Sequence, residues 1–300
     1  MAPSLRDELR ATGFRGEILA DCPLAPLTTW RIGGPAELLA TPQDIADVRQ
    51  AMAFAHRRGL DWRVLGNGSN LLVSDAGVRG LVLRIRRVLD GIEIGGSRIE
   101  AGAGASFPGL AHAAALRGLA GLEFGAGVPG SVGGAIVMNA GWHEFEIGRV
   151  VREVTYLEAD GEVATYTHDA CRFGYRTSVF RGRRGVVLKA ALELTHDDAS
   201  AVNERLSRFS DKRKAGQPTE LPSCGSVFLK PEGDFAGRLI EAAGLKGRRV
   251  GGIEVSNKHA NFFVNMGGGT AQDVLALVEL AEREVLTKFG VRLTREFEIW

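Results

Sequence analysis

Hydrophobic positions recur at two spacings along this chain, and the change from one spacing to the other marks its elements. Ile45, Val48, Met52 and Ala55 follow a helical spacing behind Thr41-Pro42-Gln43-Asp44, which offers an N-cap, a proline in the first turn and an acid, with Gly59 as the stop. The apolar runs Trp62 to Leu65, Leu71 to Val73 and Leu81 to Ile85 read as strands, divided by Gly66-Asn67-Gly68-Ser69-Asn70 and by Asp75-Ala76-Gly77. Ile92 to Ile94 and Arg98 to Ala101 predict a hairpin across Gly95-Gly96, and Ser106 with Pro108 opens a helix that ends at Gly118. Alternation through Val154, Tyr156, Val163 and Tyr166, broken at Asp160-Gly161, predicts a strand, a tight turn and a returning strand, and Val186 to Leu194 supplies another.

Val202, Leu206 and Phe209 line one face of a helix over Asp198 to Lys214, which the breakers Gly216-Gln217-Pro218 end. A domain boundary is placed near Ala199. The last part of the chain predicts a strand over Ser226 to Leu229, a helix over Ala236 to Ala243 and a strand over Phe262 to Val264. A long helix over Thr270 to Phe289, capped by Thr270 and Asp273, precedes a closing alternation over Val291 to Trp300.

Composition narrows the class of protein. At 300 residues the chain is long enough for two or three packed subdomains. The 40 glycines are about twice the usual share, so many turns or backbone-lined sites are expected. With 37 basic and 36 acidic residues and no long run of one sign, a nucleic-acid or membrane-surface footprint is not expected. Cys22, Cys171 and Cys224 form no C-x-x-C pair, which fits buried thiols in a reducing compartment, and the six histidines lack metal spacing, so no metal is expected. The first residues carry acids and no apolar core, and no window approaches about 20 apolar residues. A cytoplasmic protein is the expectation.

Several segments carry candidate chemistry. Gly125-Ala126-Gly127-Val128-Pro129-Gly130 matches G-x-G-x-x-G, but no β-branched strand precedes it and Pro129 lacks an N–H, so a Rossmann reading is weak. The loops 65–71 and 121–134 are either tight turns or nests whose backbone N–H groups converge on a pyrophosphate. Arg176, in Tyr175-Arg176-Thr177-Ser178, is either a structural ion-pair partner or a group that meets a carboxylate or phosphate. Ser226 lies at a glycine turn without the G-x-S-x-G elbow of a serine hydrolase. Asn257-Lys258-His259-Ala260-Asn261 suits the mouth of a ligand-facing strand or a satisfied core histidine. Glu296 and Glu298 fall on one face of the closing alternation, which does not choose between them.

In order and spacing these segments resemble the UDP-N-acetylenolpyruvoylglucosamine reductase (MurB) family from Thr28 to Trp300. The anchors are Thr29-Trp30-Arg31-Ile32-Gly33-Gly34, the loop Gly66 to Asn70, Pro129-Gly130-Ser131-Val132-Gly133-Gly134 with Met138-Asn139-Ala140-Gly141, Tyr175-Arg176, Gly225-Ser226, Gly244-Leu245-Lys246-Gly247 and Lys258-His259-Ala260-Asn261. The resemblance implies an α+β protein. A vanillyl-alcohol-oxidase/PCMH-type FAD-binding domain would span residues 1–199, in subdomains of about 20–88 and 89–199, followed by an α/β substrate-binding domain over 200–300. It implies noncovalent FAD held by Gly66, Asn67, Gly68, Ser69, Asn70 and Leu71, and by Gly127, Val128, Pro129, Gly130, Ser131, Gly133, Gly134 and Asn139.

The activity implied is reduction of UDP-N-acetylglucosamine enolpyruvate to UDP-N-acetylmuramate in peptidoglycan precursor synthesis, with NADPH as hydride donor and hydride passed on from flavin N5. Arg176 and Glu296 would polarise the carboxylate and enolate, Ser226 would donate the proton, and Tyr175, Lys230, Lys258, His259 and Asn261 would contact the substrate. The chain lacks an insertion after Leu194, as in the shorter branch of the family, and carries Lys230 where the family commonly has an asparagine. A monomer is expected. The alternatives are an FAD-dependent sugar or alcohol oxidase of the same fold and a nucleotide-sugar-binding protein without flavin.

Overall fold

Two apolar cores form, and they do not follow the order of the chain. The computed structural model describes residues 3–85 and 88–300. Its contacts separate Met1–Ala20, Leu38–Asn67 and Arg79–Lys212 from a second unit made of Asp21–Glu37, Gly68–Val78 and Arg213–Trp300. The division therefore falls inside the helix Ala199–Gly216 and not near Ala199, and two early segments join the C-terminal unit.

Trp30 explains that exchange. Its side chain is fully buried in the second core, its indole N–H donates to the Phe263 carbonyl at 2.8 Å, and its ring meets Phe297 edge-on at 5.2 Å. The Asn265 amide returns a hydrogen bond to the Trp30 carbonyl at 3.0 Å. The motif around Trp30 thus serves packing, which no local boundary signal reveals, because its partners lie more than 200 residues away.

The first unit carries two sheets. One orders the strands Glu17–Pro23, Pro35–Thr41, Val78–Arg84 and Trp62–Leu65, the last two running parallel. The other orders Val163–Thr167, Val151–Glu158, Gly185–Glu193, Arg98–Gly102 and Ile92–Gly95, antiparallel throughout. Apolar side chains from these strands and from the helices Ile45–Arg57 and Phe107–Leu116 fill the first core. The helix expected from Thr41 begins at Ile45, because Thr41 stays in its strand and the Asp44 side chain caps the Asp47 N–H. Asp47 is itself buried and accepts from the backbone N–H groups of Arg15, Gly16 and Gln43.

The second unit packs the helices Ala236–Ala242 and Ala271–Phe289 with a three-stranded antiparallel sheet, Arg249–Val250, Ile253–Val255 and Phe263–Asn265. Thr270 and Asp273 form the expected capping box, and Asp75 adds carboxylate acceptors for the N–H groups of Ala271 and Gln272. The chain end runs parallel to Leu71–Leu72 through Glu298–Ile299. Ser226 to Leu229, expected as a strand, makes isolated bridges from Ser226 to Phe262 and from Phe228 to Arg295. Among the described residues no helix is long and apolar enough to cross a membrane.

Replacing Trp30 with alanine is expected to cost about 3–5 kcal/mol, the range for emptying a buried aromatic site. Denaturant unfolding of the purified protein reads this, and a loss below about 1 kcal/mol would show that Trp30 does not anchor the second core.

Candidate functional site

In the first unit the two glycine-rich loops come together. Residues 103–107 pair with 130–133 through the N–H groups of Phe107, Val132 and Gly133, at 3.0, 2.9 and 2.8 Å from the carbonyls of Gly130, Ala105 and Ala103. This places Ser131 at the N-cap of the helix Val132–Met138, where its hydroxyl accepts from the Gly134 N–H at 3.3 Å. Gly66, at the end of the strand Trp62–Leu65, comes so close that a Cβ there would lie 2.4 Å from the Ser131 hydroxyl oxygen. A Cβ on Gly133 would lie 3.0 Å from that of Ala103. Gly127 and Val128 close a short 3₁₀ turn and are partly exposed, Pro129 is exposed, and Gly130 takes a φ of 150°. Bare backbone this tightly approached can border an oxyanion without a side chain intervening.

The loop expected to act as one, 66–71, is shared between the units: Gly66 and Asn67 belong to the first, Gly68 to Leu71 to the second. Gly68 takes a φ of 59°, and a Cβ there would stand 2.4 Å from the Leu27 carbonyl. Ser69 is partly buried, the Asn70 amide donates to the Glu296 carbonyl at 3.3 Å, and Leu71 pairs with Glu298.

Arg176 occupies a corner of the first unit. Gly174 and Thr177 exchange both main-chain hydrogen bonds, at 3.0 and 3.1 Å, leaving Tyr175 and Arg176 as the two turn residues. Arg176 has a φ of 54°, a left-handed conformation that costs a non-glycine residue about 1 kcal/mol or more. Its guanidinium donates to the Gly141 carbonyl at 2.8 Å and lies 5.3 Å from the exposed Tyr175 ring. Asn139 supports this turn: its buried amide donates to the Gly174 carbonyl and to Glu146, both at 2.9 Å, and accepts from the Gly148 N–H at 2.9 Å. Expected as a cofactor contact, Asn139 has its amide engaged in holding the arginine turn.

In the second unit, Ser226 and Glu296 stand on neighbouring extended segments. Val227 donates to the Asn261 carbonyl at 2.8 Å and accepts from the Glu296 N–H at 2.9 Å, so the residue after Ser226 is tied on both sides. The Asn261 amide grips Phe228 twice, accepting from its N–H at 3.0 Å and donating to its carbonyl at 2.8 Å. Asn261, expected to touch substrate, thus spends its side chain on the serine segment. Cys224, buried two residues before Ser226, has its thiol pushed well up by burial and by the charge of Glu296. Sequence reading gave Cys224 only as a buried thiol, which it is, and the carboxylate beside it is what the structure adds. Glu296 is half-buried and Glu298 exposed.

The His259 Nδ1 accepts from the Asn261 N–H at 3.2 Å, and burial lowers its pKa, which favours a neutral ring with the proton on Nε2. Lys258 donates to the Lys214 carbonyl at 2.5 Å and lies 3.7 Å from Glu220. The Lys230 ammonium sits 4.6 Å from the centre of the exposed Phe235 ring. Tyr175 and Arg176 thus belong to the first unit, and Ser226, Glu296, Lys230, Lys258, His259 and Asn261 to the second.

Comparison with known proteins accounts for both parts of the chain. Residues 217–300 match the family model described as the C-terminal domain of UDP-N-acetylenolpyruvoylglucosamine reductase, and residues 36–167 match that of an FAD binding domain. The UDP-N-acetylenolpyruvoylglucosamine reductase of Moorella thermoacetica is 46% identical over 99% of this chain and 97% of its own length. That of Rubrobacter xylanophilus is 47% identical over 93% of this chain and 94% of its own. The crystal structure of MurB from Thermus caldophilus superposes with a TM-score of 0.79 at 37% identity, covering 96% of this chain and 99% of that one. At 19% identity and a TM-score of 0.50, 6-hydroxy-D-nicotine oxidase from Arthrobacter nicotinovorans shares the fold, over 98% of this chain and 62% of its own.

Two outcomes test the geometry. Gly66→Ala is expected to destabilise the first unit by about 1–3 kcal/mol through overpacking on Ser131, and adding Ser131→Ala should recover part of that loss in thermal unfolding. The double variant faring as badly as the sum of the singles would refute the contact. Alkaline pH tests the thiols: burial raises Cys171 to about 11, and Cys224 is raised as well. Above the ordinary thiol pKa of about 8.5 the unfolded chain ionises first, so stability should fall as pH rises, by about 1.4 kcal/mol per unit per thiol. Cys224→Ala should flatten that decline, measured by urea unfolding from about pH 8 to 10.

Proposed function

The chain belongs to the UDP-N-acetylenolpyruvoylglucosamine reductase family, and from that premise we propose that it reduces the enolpyruvyl group of UDP-N-acetylglucosamine enolpyruvate, with NADPH as hydride donor, in peptidoglycan precursor synthesis. The product is UDP-N-acetylmuramate. FAD is the cofactor, and when bound it supplies two-electron hydride chemistry between nicotinamide and enolpyruvyl sugar. The chain fits it: Gly66 and Ser131 meet so closely that a side chain on Gly66 would fill the approach, as a backbone-lined pyrophosphate seat requires. Gly127, Val128, Pro129, Gly130, Gly133 and Gly134 would complete that seat, and Asn67, Gly68, Ser69, Asn70 and Leu71 are read as further cofactor contacts.

The observation that carries the catalytic reading is the placement of Ser226 beside the Glu296 segment by the hydrogen bonds of Val227. Reduction adds two hydrogens across the enol double bond, so the carbon bearing the carboxylate must receive a proton while negative charge is spread over that carboxylate. The Ser226 hydroxyl is read as the donor of that proton. The main chain just after it, at Val227 and Phe228, is held in place, which lowers the cost of positioning it. Arg176, held at its turn by Gly141 and Asn139, is read as the cation that meets the substrate carboxylate. Glu296 is read as the acid that assists the enolate, and it needs its proton to do so. The neighbouring Cys224 adds no charge, because its thiol stays protonated. Tyr175, Lys230, Lys258 and His259 are read as substrate contacts, with Lys230 meeting a phosphate by charge where an amide is usual in the family.

Ser226→Ala is expected to leave the NADPH-dependent bleaching of the yellow protein intact and to slow recovery of colour on adding the enolpyruvyl sugar by about 10²–10⁴. Stopped-flow absorbance separates the two half-reactions. Recovery at the unaltered rate would remove Ser226 from the donor role.

A further inference from the structure

Both ends of Arg176 trace back to one amide. The Asn139 Nδ2 donates to the Gly174 carbonyl at 2.9 Å, which fixes the start of the turn that carries Arg176. The same nitrogen donates to the Glu146 carboxylate, also at 2.9 Å. Glu146 is the strand partner of Gly141, and the Gly141 carbonyl takes the Arg176 guanidinium at 2.8 Å. The main chain of Arg176 and its charged head are therefore located by a single side chain. Main-chain groups of opposite kind fix the orientation of that amide: its oxygen accepts from the Gly148 N–H at 2.9 Å, and a flip would set N–H against N–H there and oxygen against oxygen at Gly174. A second grip comes from the same helix end. The buried Ser178 hydroxyl donates to the Val137 carbonyl at 2.8 Å, and Arg181 donates to the Arg176 carbonyl at 3.1 Å. Val137 and Asn139 lie at the end of the helix Val132–Met138, whose N-cap, Ser131, faces Gly66. A rise of about 1.5 Å per residue makes this 7-residue helix about 10 Å long. One short helix thus sets the spacing between the glycine seat and the arginine turn.

We propose that Asn139 is a positioning residue for Arg176 and not a cofactor contact: it sets the guanidinium where it meets the carboxylate of the enolpyruvyl sugar, at a distance from the flavin seat that the helix Val132–Met138 defines. The inference rests on the reductase reading for the identity of that anion. The N–H groups of the buried amide are spent on protein acceptors, so Asn139 acts on a ligand through Arg176. Its effect is confined to the half-reaction in which the enolpyruvyl sugar is reduced, because NADPH brings no carboxylate for Arg176 to meet.

The test uses two substitutions, each made in the wild-type and in the Arg176→Ala background. Asn139→Gly removes the amide and leaves the left-handed φ of 44° without strain, and Asn139→Asp keeps the acceptor for Gly148 while losing the donors. In the holoenzyme, stopped-flow absorbance follows bleaching by NADPH and recovery of colour on adding UDP-N-acetylglucosamine enolpyruvate, and flavin fluorescence gives the FAD dissociation constant. Each substitution is expected to slow recovery of colour by about 10–100-fold, with bleaching and the FAD dissociation constant within about threefold of the wild type. In the Arg176→Ala background the same substitutions should change recovery by less than about twofold, because their effect passes through the guanidinium that is no longer there. Recovery at the wild-type rate, an equal slowing in both backgrounds, a weakened hold on FAD, or an even loss in both half-reactions with a lowered melting temperature would overturn the proposal. A wild-type holoenzyme that NADPH bleaches and the enolpyruvyl sugar does not recolour would instead overturn the reductase reading.

Discussion

The second unit depends on how the main chain of Val227 and Phe228 is held. Val227 gives its N–H to Asn261 and receives the N–H of Glu296, while Phe228 has both polar groups taken by the Asn261 amide. Four main-chain groups that would be costly to bury unpaired are thereby satisfied by two residues. The consequence is chemical as well as structural. The main chain that carries Ser226 and Glu296 is thereby fixed at neighbouring positions.

The first unit reaches a similar end through the absence of side chains. Gly66 against Ser131, and Gly133 against Ala103, are approaches that no Cβ tolerates without displacement. Both let main chain approach its neighbour with no side chain between. Arg176 is the exception, a long cation held in a left-handed conformation that most side chains avoid. The turn persists because Asn139, itself left-handed at a φ of 44°, ties Gly174, Gly148 and Glu146 to one amide. Strain at Arg176 is thus offset by a neighbour that sequence reading assigned to the cofactor.

Much of the fold was legible because local signals and tertiary structure agreed. The hairpin at Gly95-Gly96, the strands around Asp160-Gly161 and the capping box at Thr270 all appear where turn chemistry and periodicity put them. What escaped was set by partners distant in the chain. Trp30 joins a core more than 200 residues away, and Asp44 displaces Thr41 as the helix cap because the strand Pro35–Thr41 claims Thr41 first. Residues 226–229 lack the length of a ladder and survive as isolated bridges, since the Asn261 side chain replaces main-chain pairing there. The same holds for the site. The family resemblance pointed to Ser226, Arg176 and Glu296, where residue pattern alone left Glu296 and Glu298 open, and nothing in the pattern could show that the amides of Asn261 and Asn139 are engaged by backbone.

Cys224 shows how one such neighbour constrains the chemistry. A thiolate beside Glu296 would add a second negative charge and oppose any anion that forms nearby. Burial removes that option: the thiol is held neutral, and the carboxylate itself makes ionisation harder. The coupling is reciprocal, so an ionised thiol would equally raise the proton affinity of Glu296. Because the thiol stays protonated, it places no second charge beside Glu296. A small apolar thiol at 224 therefore adds no negative charge of its own two residues before Ser226.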